Sequence, residues 1–111
     1  MREKILIVDD IELNREILAV ALGDMFPVEE AGDGEQAIEI LKDHSDEITA
    51  ILLDLIMPKM DGYEVLKYMK QAEILERIPV LVISAESRTE AERTCLEMGV
   101  SDFIRKPFDS V

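Results

Sequence analysis

The sequence predicts an open, doubly wound α/β sheet, and three observations lead to this fold class. Short runs rich in Ile, Leu and Val recur along the chain, as is typical of parallel strands buried on both faces. Segments in which apolar residues have helical spacing lie between these runs. Gly and Pro residues mark the turns between the two kinds of segment. This alternation predicts a parallel sheet with helices on both faces.

The individual elements follow from the same patterns. The strands are predicted at residues 5–8, 27–31, 51–53, 80–83 and 102–105. The second strand is the weakest of the five, because two Glu residues interrupt its apolar run. The apolar positions of four helices are Leu13, Ile17 and Ala21; Ala37 and Leu41; Val65, Leu66 and Met69; and Ala91, Cys95 and Met98.

Composition limits the function before any motif is considered. The chain has 111 residues and a formal net charge of −13 at pH 7, from 12 Lys and Arg against 25 Asp and Glu. An acidic surface repels phosphate backbones and anionic lipids, so we expect direct binding neither to nucleic acid nor to membranes. No apolar run approaches the roughly 20 residues of a membrane span, and no signal-peptide pattern opens the chain. The single cysteine suits a reducing compartment, so we expect one cytoplasmic domain over residues 1–111.

Three of the acids differ from the rest because they stand at strand ends. Asp9 and Asp10 directly follow the first predicted strand, and Asp54 directly follows the third. In an open α/β sheet, ligands bind at the carboxyl ends of strands, where the strand order reverses. If the first and third strands are neighbours there, three carboxylates converge, and like charges that close together need a partner. An oxygen-only site of this kind suits Mg²⁺.

Two more polar residues follow predicted strands and would reach the same edge of the sheet. Ser84 follows the fourth strand and Lys106 the fifth. A phosphoryl group arriving at an Asp carboxylate needs a metal, a cation such as Lys106 and a hydroxyl or N–H donor. The simpler interpretation is structural, with Asp10 as the N-cap of a helix starting near Glu12. A cap needs one acceptor rather than three carboxylates from two strands, which favours the functional interpretation.

Four motifs, in order along the chain, resemble those of two-component response-regulator receiver domains, the CheY-like family. They are the pair Asp9-Asp10 and the segments at residues 54–62, 82–85 and 99–108. The resemblance runs from residue 4 to residue 108 and implies the flavodoxin-like strand order 2-1-3-4-5. It also implies a fifth helix that this chain lacks, so we expect a receiver domain truncated after the fifth strand. The uncovered sheet face beside the first helix is expected to favour a homodimer.

The resemblance implies a role for each residue of the acid cluster. Asp54 would accept a phosphoryl group from a histidine kinase or a phosphotransfer protein. Asp10 would bind Mg²⁺ directly and Asp9 largely through water. The backbone carbonyl of Ile56 would be a further metal ligand.

The resemblance also implies how phosphorylation is read out. Ser84 would hydrogen-bond the phosphoryl group, Lys106 would pair with it, and Phe103 would be the switch aromatic whose rotamer follows Ser84. The surface of the fourth helix and fifth strand would then change to control an output domain or a downstream protein. Such a domain catalyses its own phosphorylation and dephosphorylation but is not an enzyme with a separate substrate.

Three other function classes are alternatives to a receiver domain. A phosphatase of the haloacid-dehalogenase type needs a second Asp two residues after the nucleophile, where this chain has Ile56. A flavodoxin-like FMN carrier needs a phosphate-binding loop after the first strand, where Asp9 and Asp10 would repel phosphate. The main alternative is a pseudo-receiver, an interaction module with this fold that works without phosphorylation. The acid cluster, Ser84 and Lys106 argue against it.

Overall fold

A five-stranded parallel sheet organises the chain in the computed structural model, which describes residues 4–23, 25–55, 57, 61–84 and 89–105. The strands are β1 (Lys4–Val8), β2 (Val28–Ala31), β3 (Ile48–Asp54), β4 (Val80–Ser84) and β5 (Asp102–Arg105). The helices are α1 (Glu12–Leu22), α2 (Gly34–His44), α3 (Gly62–Gln71) and α4 (Thr89–Met98), with a 3-10 helix at Ser45–Glu47. The strand order is β2-β1-β3-β4-β5. The predicted fold class and strand order are therefore confirmed.

One face of the sheet and the helices α2, α3 and α4 form the hydrophobic core. The parallel register sets Leu53 of β3 between Val8 of β1 and Val82 of β4, so these side chains share a face. The core positions predicted for the three helices are buried, and Met98 packs against them in a partly buried position. The buried ones are Ala37, Leu41, Val65, Leu66, Met69, Ala91 and Cys95. Burial raises the pKa of the Cys95 thiol, which keeps it protonated near neutral pH.

Helix α1 meets the sheet with a different stripe from the one formed by Leu13, Ile17 and Ala21. Those three side chains are exposed, Leu13 to 62% and Ile17 to 48%. The half-buried residues of α1 are Asn14, Arg15, Leu18, Ala19 and Leu22. Both stripes have helical spacing, so the periodicity predicted the helix without deciding which stripe packs on the sheet. Self-association through the exposed apolar surface stays a prediction.

Three strands extend beyond their predicted bounds, and the first of them, β1, begins one residue early at Lys4. Strand β3 begins at Ile48, three residues before the predicted start, and it includes Asp54 as its last residue. The reason is pairing with β1, which continues past Thr49 to join Lys4 with Ile48. Strand β4 likewise includes Ser84 as its last residue. Within the described ranges, no helix has the length and apolar character needed to cross a membrane.

The turn after α3 holds a non-glycine residue in the left-handed region. Glu73 has φ 62°, and it occupies the C′ position of a Schellman motif. The motif's two hydrogen bonds run from the Ile74 N–H to the Met69 carbonyl oxygen, at 2.8 Å, and from the Glu73 N–H to the Lys70 carbonyl oxygen, at 3.1 Å. Glycine is the residue most often found at this position, because it has no β-carbon to strain.

We expect Glu73→Gly to raise the free energy of unfolding by about 0.5–1 kcal/mol, because the relief of left-handed strain exceeds the added entropy of the unfolded chain. Urea denaturation followed by far-UV circular dichroism measures the change. Glu76→Gly is the matched control, since Glu76 is exposed in the next turn and carries the same charge without a positive φ. Equal stability changes in the two variants would contradict the prediction.

Candidate functional site

The carboxylates of Asp9, Asp10 and Asp54 meet at the carboxyl edge of the sheet. Each offers an oxygen, and these oxygens all lie within 4.8 Å of one another. The reason is the strand order, because β1 and β3 are neighbours and Val8 pairs with Leu53 directly before the acids. Asp9 and Asp54 are 2% and 4% exposed, whereas Asp10 is open to solvent. The structure thus brings together the three acids that the sequence predicted to converge.

Asp9 is held by hydrogen bonds on its backbone and its side chain. Its N–H donates to the Ala31 carbonyl oxygen at 3.1 Å, and its own carbonyl oxygen accepts from Arg15 Nη1 at 2.8 Å. Its carboxylate Oδ1 accepts from the Ile11 N–H at 2.9 Å. The N-cap of α1 is Ile11, which makes no side-chain cap hydrogen bond. The structural interpretation of Asp10 as the N-cap is therefore wrong, because Asp9 accepts the N–H in the turn that leads into α1.

Ser84 reaches the same edge of the sheet from the neighbouring strand. It is the last residue of β4 and is fully buried. The residue before it, Ile83, pairs with Asp54 of β3. A buried hydroxyl one residue beyond the partner of Asp54 is suitably placed in the fold to approach a group bound at this edge. The role predicted for Ser84 stays a prediction.

Of the three remaining predicted site residues, one lies among the described residues and is buried. Phe103 of β5 is 9% exposed and belongs to the hydrophobic core, where it pairs with Val82. Ile56 and Lys106 lie outside the described residues. The roles predicted for all three therefore stay predictions.

Gly62 is a residue that sequence reasoning did not single out, although it closes the motif at residues 54–62. Its N–H donates to the Leu55 carbonyl oxygen at 2.8 Å. A β-carbon here would collide with the Asp54 carbonyl oxygen and would lie 2.7 Å from Leu55 Cα. Helix α3 therefore begins in direct contact with the backbone that carries Asp54. Asp is a preferred N-cap residue, so Asp61-Gly62 was the sequence signal for a helix that starts here. In the structure Asp61 is the N-cap of α3, and its side chain accepts the Glu64 N–H at 3.2 Å.

The donor set and its spacing fit a hydrated Mg²⁺ ion. Octahedral coordination at about 2.0–2.1 Å places neighbouring ligand oxygens about 2.9 Å apart and opposite ones about 4.1 Å apart. The three acid oxygens lie within 4.8 Å of one another, which is close enough for them to surround one such ion. Mg²⁺ also keeps several of its waters, so a few protein oxygens suffice to hold it. The exposed Asp10 leaves the cluster open to an ion from solvent.

A family model described as the response regulator receiver domain matches residues 5–111. The chain belongs to the response-regulator receiver family. The rice (Oryza sativa subsp. japonica) two-component response regulator ORR5 is 36% identical over 104 residues, which cover 93% of this chain and 77% of that protein. A probable cyclic di-GMP phosphodiesterase of Vibrio cholerae is 37% identical over 103 residues, covering 93% of this chain and 23% of that protein. The chain thus spans under a quarter of the Vibrio protein.

Solved structures of receiver domains have the same fold. The CheX-CheY-BeF3-Mg complex from Borrelia burgdorferi contains a chain that superposes with a TM-score of 0.86 and 32% identity, covering 96% of this chain and 80% of that one. CheY4 of Vibrio cholerae gives a TM-score of 0.86 and 28% identity, covering 97% and 89%. The chain is accordingly a CheY-like receiver domain, the phosphoacceptor module of two-component signalling.

Proposed function

We propose that Asp54 accepts a phosphoryl group from a histidine kinase or a phosphotransfer protein in a reaction that requires Mg²⁺. The observation that carries this proposal is the meeting of three carboxylates at the ends of β1 and β3. Asp54 is the natural acceptor because it ends the central strand β3, and its exposure of 4% limits the access of water. Membership of the receiver family supports the same assignment, and the Borrelia relative is named as a complex with BeF3 and Mg.

The proposed reaction is nucleophilic attack by a carboxylate. A carboxylate oxygen of Asp54 forms a bond to phosphorus while the phosphorus–nitrogen bond of a phosphohistidine donor breaks. The electron pair of that bond stays on the imidazole nitrogen. Asp9, Asp10, Asp54 and the carbonyl of Ile56 would hold Mg²⁺, which when bound neutralises negative charge on the phosphoryl oxygens. The Ser84 hydroxyl would donate to one such oxygen.

The phosphoryl group would then alter the surface of α4 and β5 through Ser84, Lys106 and Phe103. Lys106 would pair with the phosphoryl group, and a shift of Ser84 towards it would free space into which Phe103 could turn. A changed α4–β5 surface would control an output domain or a downstream protein. In this proposal the chain catalyses only its own phosphorylation and dephosphorylation, in the cytoplasm, and has no separate substrate.

Intact mass spectrometry after incubation with acetyl phosphate and MgCl₂ tests the proposal. We expect a mass increment of one phosphoryl group, lost when EDTA replaces MgCl₂ and removed by hydroxylamine, which cleaves acyl phosphates. Asp54→Asn should abolish the increment. Asp46→Asn, an exposed acid of the 3-10 helix, should retain it. A wild-type chain that gains no phosphoryl group at any Mg²⁺ concentration would contradict the proposal and favour the pseudo-receiver.

A further inference from the structure

One arginine of α1 joins the turn after β1 to the edge strand β2. Arg15 Nη1 donates to the Asp9 carbonyl oxygen at 2.8 Å, and Arg15 Nε donates to Glu30 Oε1 at 3.0 Å. The Arg15 side chain is 18% exposed, against 39% for Glu30. A planar guanidinium serves both acceptors from a rigid fork of N–H donors, whereas an ammonium group is a compact charge whose donors rotate.

These contacts fix the peptide groups on both sides of Asp9. The carbonyl bound by Arg15 belongs to the peptide that links Asp9 to Asp10, and the Asp9 N–H is bound to the Ala31 carbonyl oxygen at 3.1 Å. Ala31 follows Glu30 on β2, so both restraints lead to the same short strand. Holding two successive peptide planes sets the direction in which the Asp9 side chain leaves the backbone, as well as the path to Asp10.

The turn after β2 leaves room for this arginine. A β-carbon at Gly32 would lie 3.4 Å from Arg15 Nη1 and 3.9 Å from Arg15 Cζ, so the guanidinium lies against the Gly32 backbone. The Gly32 N–H donates in turn to Gln36 Oε1 at 2.9 Å, at the start of α2. Arg15 is thus enclosed by β1, β2 and the β2–α2 turn while it lies beside the acid cluster.

We propose that Arg15 is a positioning residue for the Asp9–Asp10 turn and, oriented by Glu30, sets the affinity of the acid cluster for Mg²⁺. The inference rests on the proposed function. Arg15 has two opposite effects on the affinity for Mg²⁺, and a substitution shows which of them is larger. Its positive charge repels a divalent cation, so removing the charge alone would tighten Mg²⁺ binding. Its hydrogen bonds order the acids, so removing them would weaken Mg²⁺ binding.

Isothermal titration of metal-free protein with MgCl₂ separates these effects. We expect Arg15→Gln to raise the dissociation constant for Mg²⁺ about tenfold, as is typical when a group that orients metal ligands is lost. Glu30→Gln should give a smaller increase. The double variant should bind no more weakly than Arg15→Gln alone, because Glu30 acts through Arg15. Thermal denaturation followed by circular dichroism identifies a temperature at which every variant is folded.

Lys4→Gln is the matched control. Lys4 is the first residue of β1, at the end opposite to the acid cluster. It contacts Glu29 of β2 at 3.6 Å and Glu47 of the 3-10 helix at 3.1 Å. Its replacement removes the same charge as Arg15→Gln without touching the Asp9 turn. The dissociation constant of the control should therefore stay unchanged or fall slightly. Equal or tighter binding by Arg15→Gln would overturn the inference.

Hydrogen exchange in the absence of metal provides a second measurement, which reports how well Arg15 orders the Asp9–Asp10 turn. The Ile11 N–H, which donates to Asp9 Oδ1, should exchange several-fold faster in Arg15→Gln than in wild type, with no such change in Lys4→Gln. Unchanged exchange at Ile11 would overturn the inference. A wild-type chain that binds no Mg²⁺ would instead contradict the proposed function, so the two failures are distinguishable.

Discussion

Gly62→Ala is expected to lower the free energy of unfolding by about 3 kcal/mol, at the upper end of the usual cost of overpacking. The added methyl group would meet the Asp54 carbonyl oxygen and Leu55 Cα. Both are backbone atoms, one in the last residue of β3 and one in the residue after it, so neither can rotate away as a flexible side chain would. Alanine is otherwise the better helix former, by about 1 kcal/mol. A loss of stability therefore identifies the contact with β3 as its cause, and urea denaturation measures it.

The same substitution should also weaken Mg²⁺ binding by the protein that remains folded. Relief of the collision requires α3 to move away from β3 or the end of β3 to shift, and that strand end carries Asp54.

Gly32→Ala is the control for stability, because the nearest atom to its new methyl group is the end of the Arg15 side chain at 3.4 Å. We expect it to change the free energy of unfolding by no more than about 0.5 kcal/mol. A Gly62→Ala chain as stable as wild type would contradict the prediction that its methyl group collides with the backbone.

Mg²⁺ is expected to stabilise the wild-type chain by about 2.7 kcal/mol at a concentration of about 100 times its dissociation constant. Asp10→Asn should lose most of this gain, because it removes one of three carboxylates that lie within 4.8 Å of one another. In metal-free buffer, the variant should be more stable than wild type, since one of three neighbouring negative charges is gone. The order of stability of the two chains should therefore reverse when MgCl₂ is added.

Urea denaturation with and without MgCl₂ measures this reversal. Asp46→Asn removes a charge from the exposed 3-10 helix and should respond to Mg²⁺ as wild type does. A general salt effect is tested by replacing MgCl₂ with NaCl at equal ionic strength, which should not reverse the order of stability of wild type and Asp10→Asn. An undiminished response of Asp10→Asn to MgCl₂ would place the ion elsewhere.

The sequence by itself determined the kind of elements and their order. Continuous apolar runs predicted buried strands, and helical spacing predicted the inward residues of α2, α3 and α4, such as Leu41, Leu66 and Cys95, which are buried. These predictions succeeded because the tendency to be buried is a property of each side chain and its local period. The position of the acids at strand ends was likewise visible in the chain, as was the resemblance to receiver domains.

Only the tertiary structure decided how distant residues meet. It brought the oxygens of Asp10 and Asp54 within 4.8 Å of each other, and it turned the Leu13 stripe of α1 towards solvent. It also gave Arg15 and Gly62 contacts that no local pattern predicts. The physical reason is that periodicity records which residues favour burial, whereas hydrogen bonds and close contacts depend on the partner that packing supplies.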